Sequence, residues 1–172
     1  MAPTLPIVAA SLRFAYSEAE DRLTLLAADA RGQAVHVALT RRLTDRLFNG
    51  LAQLLERSNA LAVQAPAELR DDIVLMEHQD ALYGQGAAPE AEAVALPDLP
   101  APRLVGAIDI TVTPATFEIG LRDAGPLVAL SLDRRQVHRF VEALSQHAEA
   151  AGWNIAVAAA WLEPGQTEIV LN

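Results

Sequence analysis

The chain contains an internal repeat, and this feature constrains its fold more than any other. Residues 24–56 align with residues 117–149 without a gap, at a constant offset of 93 positions, and nine of the 33 aligned pairs are identical. The identical pairs are Gly32/Gly125, Val35/Val128, Leu39/Leu132, Arg41/Arg134, Arg42/Arg135, Arg46/Arg139, Leu51/Leu144, Gln53/Gln146 and Glu56/Glu149. A repeat of this kind indicates that one structural unit has been duplicated, so each copy is expected to fold in the same way.

Each copy is predicted to form two strands and a helix. Apolar residues alternate with small or polar ones before and after Gly32 and Gly125. This is the pattern of two strands joined by a turn that favours positive φ. The apolar residues then change to helical spacing, and Thr40 and Asp133 are suited to accept a backbone N–H at the start of that helix. Gly50, inside the first helix, predicts close packing at that point.

A further strand is predicted before each copy, at residues 11–17 and 107–113, because both segments alternate in the same way. The repeated unit is then βββα. Its predicted bounds are residues 1–64 for the first repeat and 104–172 for the second, which closes with a hairpin of strands at 153–162 and 167–171.

We therefore expect an α+β fold in which duplicated βββα units form antiparallel sheets, with the helices packed on one side and a pseudo-twofold relation between the units. This element order resembles that of the duplicated whirly and PUR-type domains. The resemblance is one of topology, and it implies binding of single-stranded nucleic acid.

Residues 65–103 separate the two repeats and are predicted to contain one helix, at about residues 66–82. Leu69, Ile73 and Met76 have the spacing of a buried helical face. The polar residues between them are expected to form the solvated face: Glu68, Asp71, Asp72, Glu77, His78 and Asp80. Residues 84–102 are rich in glycine, alanine, proline and acids, which is typical of an exposed linker.

Composition and motifs exclude several classes of function. The absence of cysteine excludes disulfides, thiolate nucleophiles and iron–sulfur clusters. The net charge of −9 argues against a broad electrostatic grip on nucleic acid. No segment has the apolar length of a membrane helix, so we expect no membrane partner and a cytoplasmic location. No nucleotide-binding or hydrolase motif is present, so we expect no cofactor and no catalytic residue.

The histidines give only a weak indication of a metal site. His138 and Glu142 are four residues apart on a predicted helix, and His147 follows them. Spacing alone does not distinguish such a set from surface polar groups, and His138 aligns with Asp45 rather than with a histidine, so the repeat predicts no symmetric metal site. We therefore expect no bound metal.

The repeated arginines are the strongest candidates for binding a ligand or partner. They lie in the first turns of both helices, where positive charge opposes the helix dipole. The candidates are Arg41, Arg42, Arg46, Arg134, Arg135 and Arg139. Guanidinium groups on such stripes could hold carboxylates or phosphates. The alternative is that they are solvated side chains paired with nearby acids such as Asp45 or Glu142.

The hypothesis that best fits these features is a non-catalytic protein-binding or assembly module, self-associating as a homodimer in its simplest form. Two alternatives stay open. The first is binding of single-stranded nucleic acid or a phosphate ligand through the arginine stripes. The second is an acid/base enzyme that uses His138, Glu142 and a carboxylate of the insert.

Overall fold

A computed structural model of the protein describes residues 5–84 and 99–162, and it shows an α+β fold with two four-stranded sheets. The first unit contains β1 (Ile7–Val8), β2 (Ser11–Ser17), β3 (Arg22–Ala28), β4 (Ala34–Leu39) and α1 (Arg41–Ser58). Between the units lie α2 (Ala60–Gln64) and α3 (Ala67–Leu82). The second unit contains β5 (Arg103–Leu104), β6 (Ala107–Val112), β7 (Phe117–Arg122), β8 (Pro126–Leu132) and α4 (Arg134–Ala150), and a 3-10 helix follows at Ala160–Leu162.

The predicted βββα order is confirmed in both units, but the sheets are mixed rather than purely antiparallel. In each unit three strands form an antiparallel meander, β2–β3–β4 or β6–β7–β8. The two-residue strand at the start of each unit pairs in parallel with the last strand of the other unit. Thus β1 joins β8, and β5 joins β4. These strands were not predicted, because two residues carry no readable alternation.

The two units share one hydrophobic core. Helix α1 packs on β3 of its own unit and on β6 of the other, while α4 packs on β8 of its own unit and on β2 of the other. The two helices also contact each other. Buried residues from α1, α4, β3 and β8 belong to a single cluster, and β2 and β6 contribute partly buried side chains to it. Together with the exchanged strands, this packing makes the two repeats parts of one domain.

The helices of the two copies match at the predicted offset. Thr40 accepts a hydrogen bond from the backbone of α1, and Asp133 forms a capping box with Gln136 in α4. Buried positions also correspond: Thr44/Val137, Leu47/Phe140, Phe48/Val141, Leu51/Leu144 and Leu55/Ala148. The predicted caps and helical faces are confirmed.

The hairpins of the two copies differ in length by one residue. Leu23 pairs with Leu39 across β3 and β4, whereas Phe117 pairs with Leu132 across β7 and β8. Equivalent residues of β4 and β8 are thus 93 positions apart in the sequence, whereas equivalent residues of β3 and β7 are 94 positions apart. A gap-free alignment matches buried Leu25 with an exposed glutamate, because a shift of one residue reverses the faces of a strand.

The glycines were only partly predicted. Gly32 has φ of +82°, as its turn requires, but Gly125 is not in the positive-φ region. The expected close packing at Gly50 is wrong, because a Cβ added there would meet nothing within 4 Å.

Helix α3 is confirmed, but its buried face was predicted wrongly. Ile73 packs against the core, whereas Leu69 and Met76 are exposed. The residues of α3 that are fully buried are Val74, His78 and Ala81. Polar contacts with α4, described below, set the orientation of this helix.

Residues 153–158 are irregular rather than a strand, so the predicted strand at 153–162 is wrong. The backbone of this segment forms hydrogen bonds with a side chain of α1 instead of with another strand. Asn49 donates to the Ala156 carbonyl and accepts from the Ala158 N–H, both at 2.8 Å. The Trp153 indole anchors the segment through Asp21 at 2.7 Å. The other predicted strand, at 167–171, lies outside the described residues. No helix in the described part of the chain is both long and apolar enough to cross a membrane.

The difference between the two turns gives a testable prediction. Gly32→Ala should lower the free energy of unfolding by about 1 kcal/mol, because an L-residue is strained at positive φ. Gly125→Ala is the matched control and should change it by less than about 0.5 kcal/mol, because its backbone is unstrained and its surroundings are open. Urea denaturation of both variants measures this, and equal losses would contradict the assigned turn conformations.

Candidate functional site

The arginines of the second copy bind the helix inserted between the repeats. Arg134 forms a two-pronged contact with Glu77 of α3, with Nε 2.7 Å from Oε1 and Nη2 3.0 Å from Oε2. The same guanidinium donates to the Ser58 hydroxyl at 2.7 Å and to the Leu55 carbonyl at 3.0 Å. It also lies 5.9 Å from the centre of the Phe117 ring. Arg134 therefore joins α1, α3 and α4.

Arg135 and Arg139 complete the attachment of α3. Arg135 donates to the Asp80 carbonyl at 2.7 Å and Arg139 donates to the Ala81 carbonyl at 2.9 Å. These carbonyls belong to the last turn of α3 and carry the negative end of the helix dipole, and the Asp80 carbonyl also accepts from the Tyr83 N–H at 3.2 Å. Three of the six predicted binding residues are thus engaged within the protein itself.

The arginines of the first copy have different surroundings. Arg41 donates to the Asn154 carbonyl at 3.4 Å. Arg42 and Arg46 are exposed and make no hydrogen bond or ion pair within residues 5–84 and 99–162. Arg46 borders a groove of about 240 Å³ between α1 and β6, whose floor includes Ile108. The two stripes do not form equivalent sites.

Two histidines contact each other between α3 and α4, next to the contact between Arg134 and Glu77. His78 Nδ1 lies 3.1 Å from His138 Nδ1. The outer nitrogens face carboxylates: His78 Nε2 is 3.3 Å from Glu142 Oε2, and His138 Nε2 is 3.3 Å from Glu77 Oε2. The second of these has an ion-pair distance without hydrogen-bond geometry. We call the four residues the histidine relay.

The 3-10 helix closes the histidine relay from the side. Trp161 is 1% exposed, and its ring lies edge-on to both imidazoles, 5.2 Å from His78 and 5.7 Å from His138 between centroids. Its indole N–H points to the Ala52 carbonyl at 3.3 Å. His138 is fully buried and His78 is 6% exposed. Bulk solvent and substrates therefore have no direct access to the two rings.

The surroundings change the pKa of two relay groups in the same direction. Burial alone would raise the pKa of Glu77, but contacts with His138, Arg134 and Asn59 outweigh it and hold that pKa well below its ordinary value. Burial, together with the neighbouring charge of His138, lowers the pKa of His78, and Glu142 opposes this only in part. Glu77 is therefore ionised and His78 is neutral at pH 7.

The histidine relay bears on two of the sequence hypotheses. The groups named for an acid/base enzyme, His138, Glu142 and a carboxylate of the insert, are brought together by the fold, with His78 between them. The two imidazoles are enclosed, whereas the side chains of Glu77 and Glu142 are 27% and 32% exposed. Within the described ranges, no group of three or more His, Asp or Glu side chains is arranged to hold a metal ion.

Sequence reasoning missed Glu77 and His78, which it placed on the solvated face of α3. The available signal was the spacing of Val74, His78 and Ala81, which lie on one helical face. A histidine flanked by an alanine and a valine at this spacing is compatible with burial, whereas the leucine and methionine positions drew the prediction to the opposite face.

An exposed apolar stripe covers that opposite face. Leu69, Met76 and Tyr83 are spaced by seven residues and are 50%, 68% and 83% exposed. Asp72 and Asp80, also exposed, lie on either side of the stripe. We call these three apolar residues the α3 stripe.

The contact between Arg134 and Glu77 can be tested by removing one charge. Glu77→Gln should lower the free energy of unfolding by about 2 kcal/mol, because it leaves a partly buried guanidinium without its counter-ion. The matched control, Glu68→Gln, is on the exposed side of the same helix and should have an effect below about 0.5 kcal/mol. Chemical denaturation at pH 7 measures both values, and an equal effect of the two changes would show that the contact is dispensable.

Comparisons with protein-family models, with curated proteins and with solved structures found no match to this chain. What it does must be inferred from its own side chains.

Proposed function

We propose that the protein is a non-catalytic binding module that docks a partner protein on the α3 stripe. The observation that carries this proposal is the exposure of three large apolar side chains, Leu69, Met76 and Tyr83, along one line of a helix. Scattered exposed apolar residues are ordinary, but three large ones aligned on one side of a helix and its C-terminal cap are a feature of interaction surfaces.

The inner face of α3 explains why this line is rigid. Arg134, Arg135 and Arg139 bind the helix at Glu77 and at its last carbonyls. Seven residues are nearly two helical turns, so side chains at this spacing stay in register along the outer face. A helix held in this way presents its stripe without having to reorganise, which lowers the entropic cost of binding.

The charges beside the stripe favour a particular kind of partner. Asp72 and Asp80 flank Met76, and although the Asp80 carboxylate is 3.7 Å from Arg135, it is 81% exposed. A second copy packed on this face would bring acids against acids in a chain whose net charge is already −9. An amphipathic helix with basic residues beside its apolar face has complementary charge. Such a helix is the proposed occupant, and self-association is an outcome of the test.

The two other sequence hypotheses are less well supported. Half of the candidate arginines are engaged by α3, which leaves Arg41, Arg42 and Arg46 to meet phosphates on an acidic protein. His138, the imidazole of the acid/base hypothesis, is fully buried. Neither observation favours nucleic-acid binding or catalysis over docking at the stripe.

The stripe can be tested with a pair of variants that make the same charge change. Met76→Glu should leave the thermal midpoint unchanged within error, because the side chain is exposed, but should weaken partner binding at least about tenfold, since burial of a methionine contributes about 1.5–3 kcal/mol. Gln79→Glu, on the same helix and also exposed, is the control and should bind like the wild type. Capture from host lysate on wild type and both variants identifies the partner, and titration of the purified pair gives Kd.

The outcomes separate the alternatives. A captured protein that carries a basic amphipathic helix and is lost only with Met76→Glu supports the proposal. Sedimentation of the purified protein decides the case of self-association: a dimer that Met76→Glu converts to a monomer would mean that the occupant is a second copy. Equal binding to Met76→Glu and Gln79→Glu would show that the α3 stripe is not the docking surface.

A further inference from the structure

We propose that the His78–His138 pair is a pH-sensitive clasp, which holds α3 and the 3-10 helix on α4 at neutral pH and releases them when both rings become protonated. The pair is placed for this role because it connects three elements. His78 comes from α3, His138 from α4, and Trp161 of the 3-10 helix packs edge-on against both.

The contact between the two rings limits how many protons the pair can hold. A hydrogen bond between the two Nδ1 atoms, 3.1 Å apart, needs one proton on one ring and a lone pair on the other. The two Nε2 atoms can each carry a proton toward a carboxylate. The closed pair therefore accommodates three protons, which means one imidazolium and one neutral ring. A fourth proton would place two N–H groups against each other and break the contact.

The surrounding charges compensate one imidazolium but not two. On the α3 side the facing carboxylate is Glu77, whose charge is already matched by Arg134 of α4. On the α4 side it is Glu142, which Gln146 also contacts at 2.8 Å. The 3-10 helix contributes the apolar ring of Trp161, and α1 contributes no charged group to the pair. One positive charge on the pair thus balances Glu142, and a second would be buried without a counter-ion.

The end of α3 adds two further charged contacts, which do not titrate in the same range. Arg135 and Arg139 hold the carbonyls of Asp80 and Ala81, and the Asp80 carboxylate is exposed to solvent. Neither the guanidinium groups nor the backbone carbonyls change protonation between pH 7.5 and 5, so these hydrogen bonds persist there. In mild acid, the contact of α3 that changes is therefore the one made through the histidine pair.

The sign of the effect follows from linkage. The pKa of His78 is lowered in the folded protein from its ordinary value of 6.5, so the unfolded or opened form binds more protons than the closed form below that pH. Stability of the clasp is complete above pH 6.5 and is lost as the pH falls further. The pKa of Glu77 is also lowered, and its contribution begins to fade only near its ordinary value of 4.5. Between about pH 6.5 and 4.5, the loss of stability of the clasp therefore comes from the histidines.

Hydrogen–deuterium exchange of the full chain between pH 7.5 and 5 tests the clasp. After correction for intrinsic exchange rates, the opening equilibrium of α3 and of residues 160–162 should rise by up to about tenfold per pH unit below 6.5, the slope for one linked proton. Amides of β3 and β7 should keep their protection. In His78→Gln, which removes the titrating ring, the α3 opening should be independent of pH in this range.

His147 supplies the matched control. It stacks on Phe14 with ring centroids 5.2 Å apart, and burial lowers its pKa as well, but it lies on the β2 side of α4. His147→Gln should therefore retain the pH-dependent opening of α3. Loss of the effect in this variant and not in His78→Gln would overturn the proposal.

A second measurement keeps the test decisive if His78→Gln fails to fold. Imidazole NMR signals of the wild-type protein report the protonation of each histidine, and the second imidazolium of the pair should form in step with the opening of α3. Uptake of that proton with α3 still protected would overturn the proposal, and so would constant protection of α3 down to pH 5. Opening of α3 only together with β3 and β7 would also overturn the proposal, because it would report global unfolding.

Discussion

The contact between Arg134 and Glu77 fixes the arrangement of the helices. Both side chains are less than a third exposed, at 29% and 27%, so each charge depends on the other for compensation. The guanidinium starts from α4, binds α3 through Glu77, and reaches α1 through the Leu55 carbonyl and the Ser58 hydroxyl. Because the carboxylate must face α4, the helix that carries it has one rotational setting. Met76, one position earlier, is thereby turned outward, and the α3 stripe is a consequence of an internal ion pair.

The same sequence positions in the two copies have acquired different partners because different segments cover them. The start of α4 lies under the inserted helix, where Arg134 finds a carboxylate. The start of α1 lies beside residues 153–158, where Arg41 donates to the Asn154 carbonyl. Position 138, which corresponds to Asp45 in α1, holds a histidine of the relay in α4. The two units are similar, and the segment that follows each of them determines what its helix contacts.

Local signals in the sequence predicted most of the secondary structure. The caps at Thr40 and Asp133, the helical faces of α1 and α4, and the existence of α3 follow from short-range chemistry, so they could be read from the chain. The orientation of α3 could not, because Glu77 and His78 are buried by residues of α4 that lie more than fifty positions away. The difference of one residue between the hairpins was hidden for a related reason: the identities lie in the helices, in the turn and in β4 and β8, where the offset is 93, and β3 and β7 carry none. The arginine stripes were recognised, but their partners were not.

The exchanged edge strands have a consequence for how the chain reaches this structure. Strand β1 is far from β8 in the sequence, yet β8 is its hydrogen-bonding partner, so the ladder between Ile7 and Val128 closes a loop that contains β2 to β7 and the helices between them. Closing a long loop costs chain entropy before the contact contributes any stabilising energy, and such pairings therefore slow folding. On the ribosome, β1 is synthesised well before β8 and has no native strand partner until β8 has been made. The parallel ladder between β1 and β8 therefore forms only after the strands of the second unit have been synthesised.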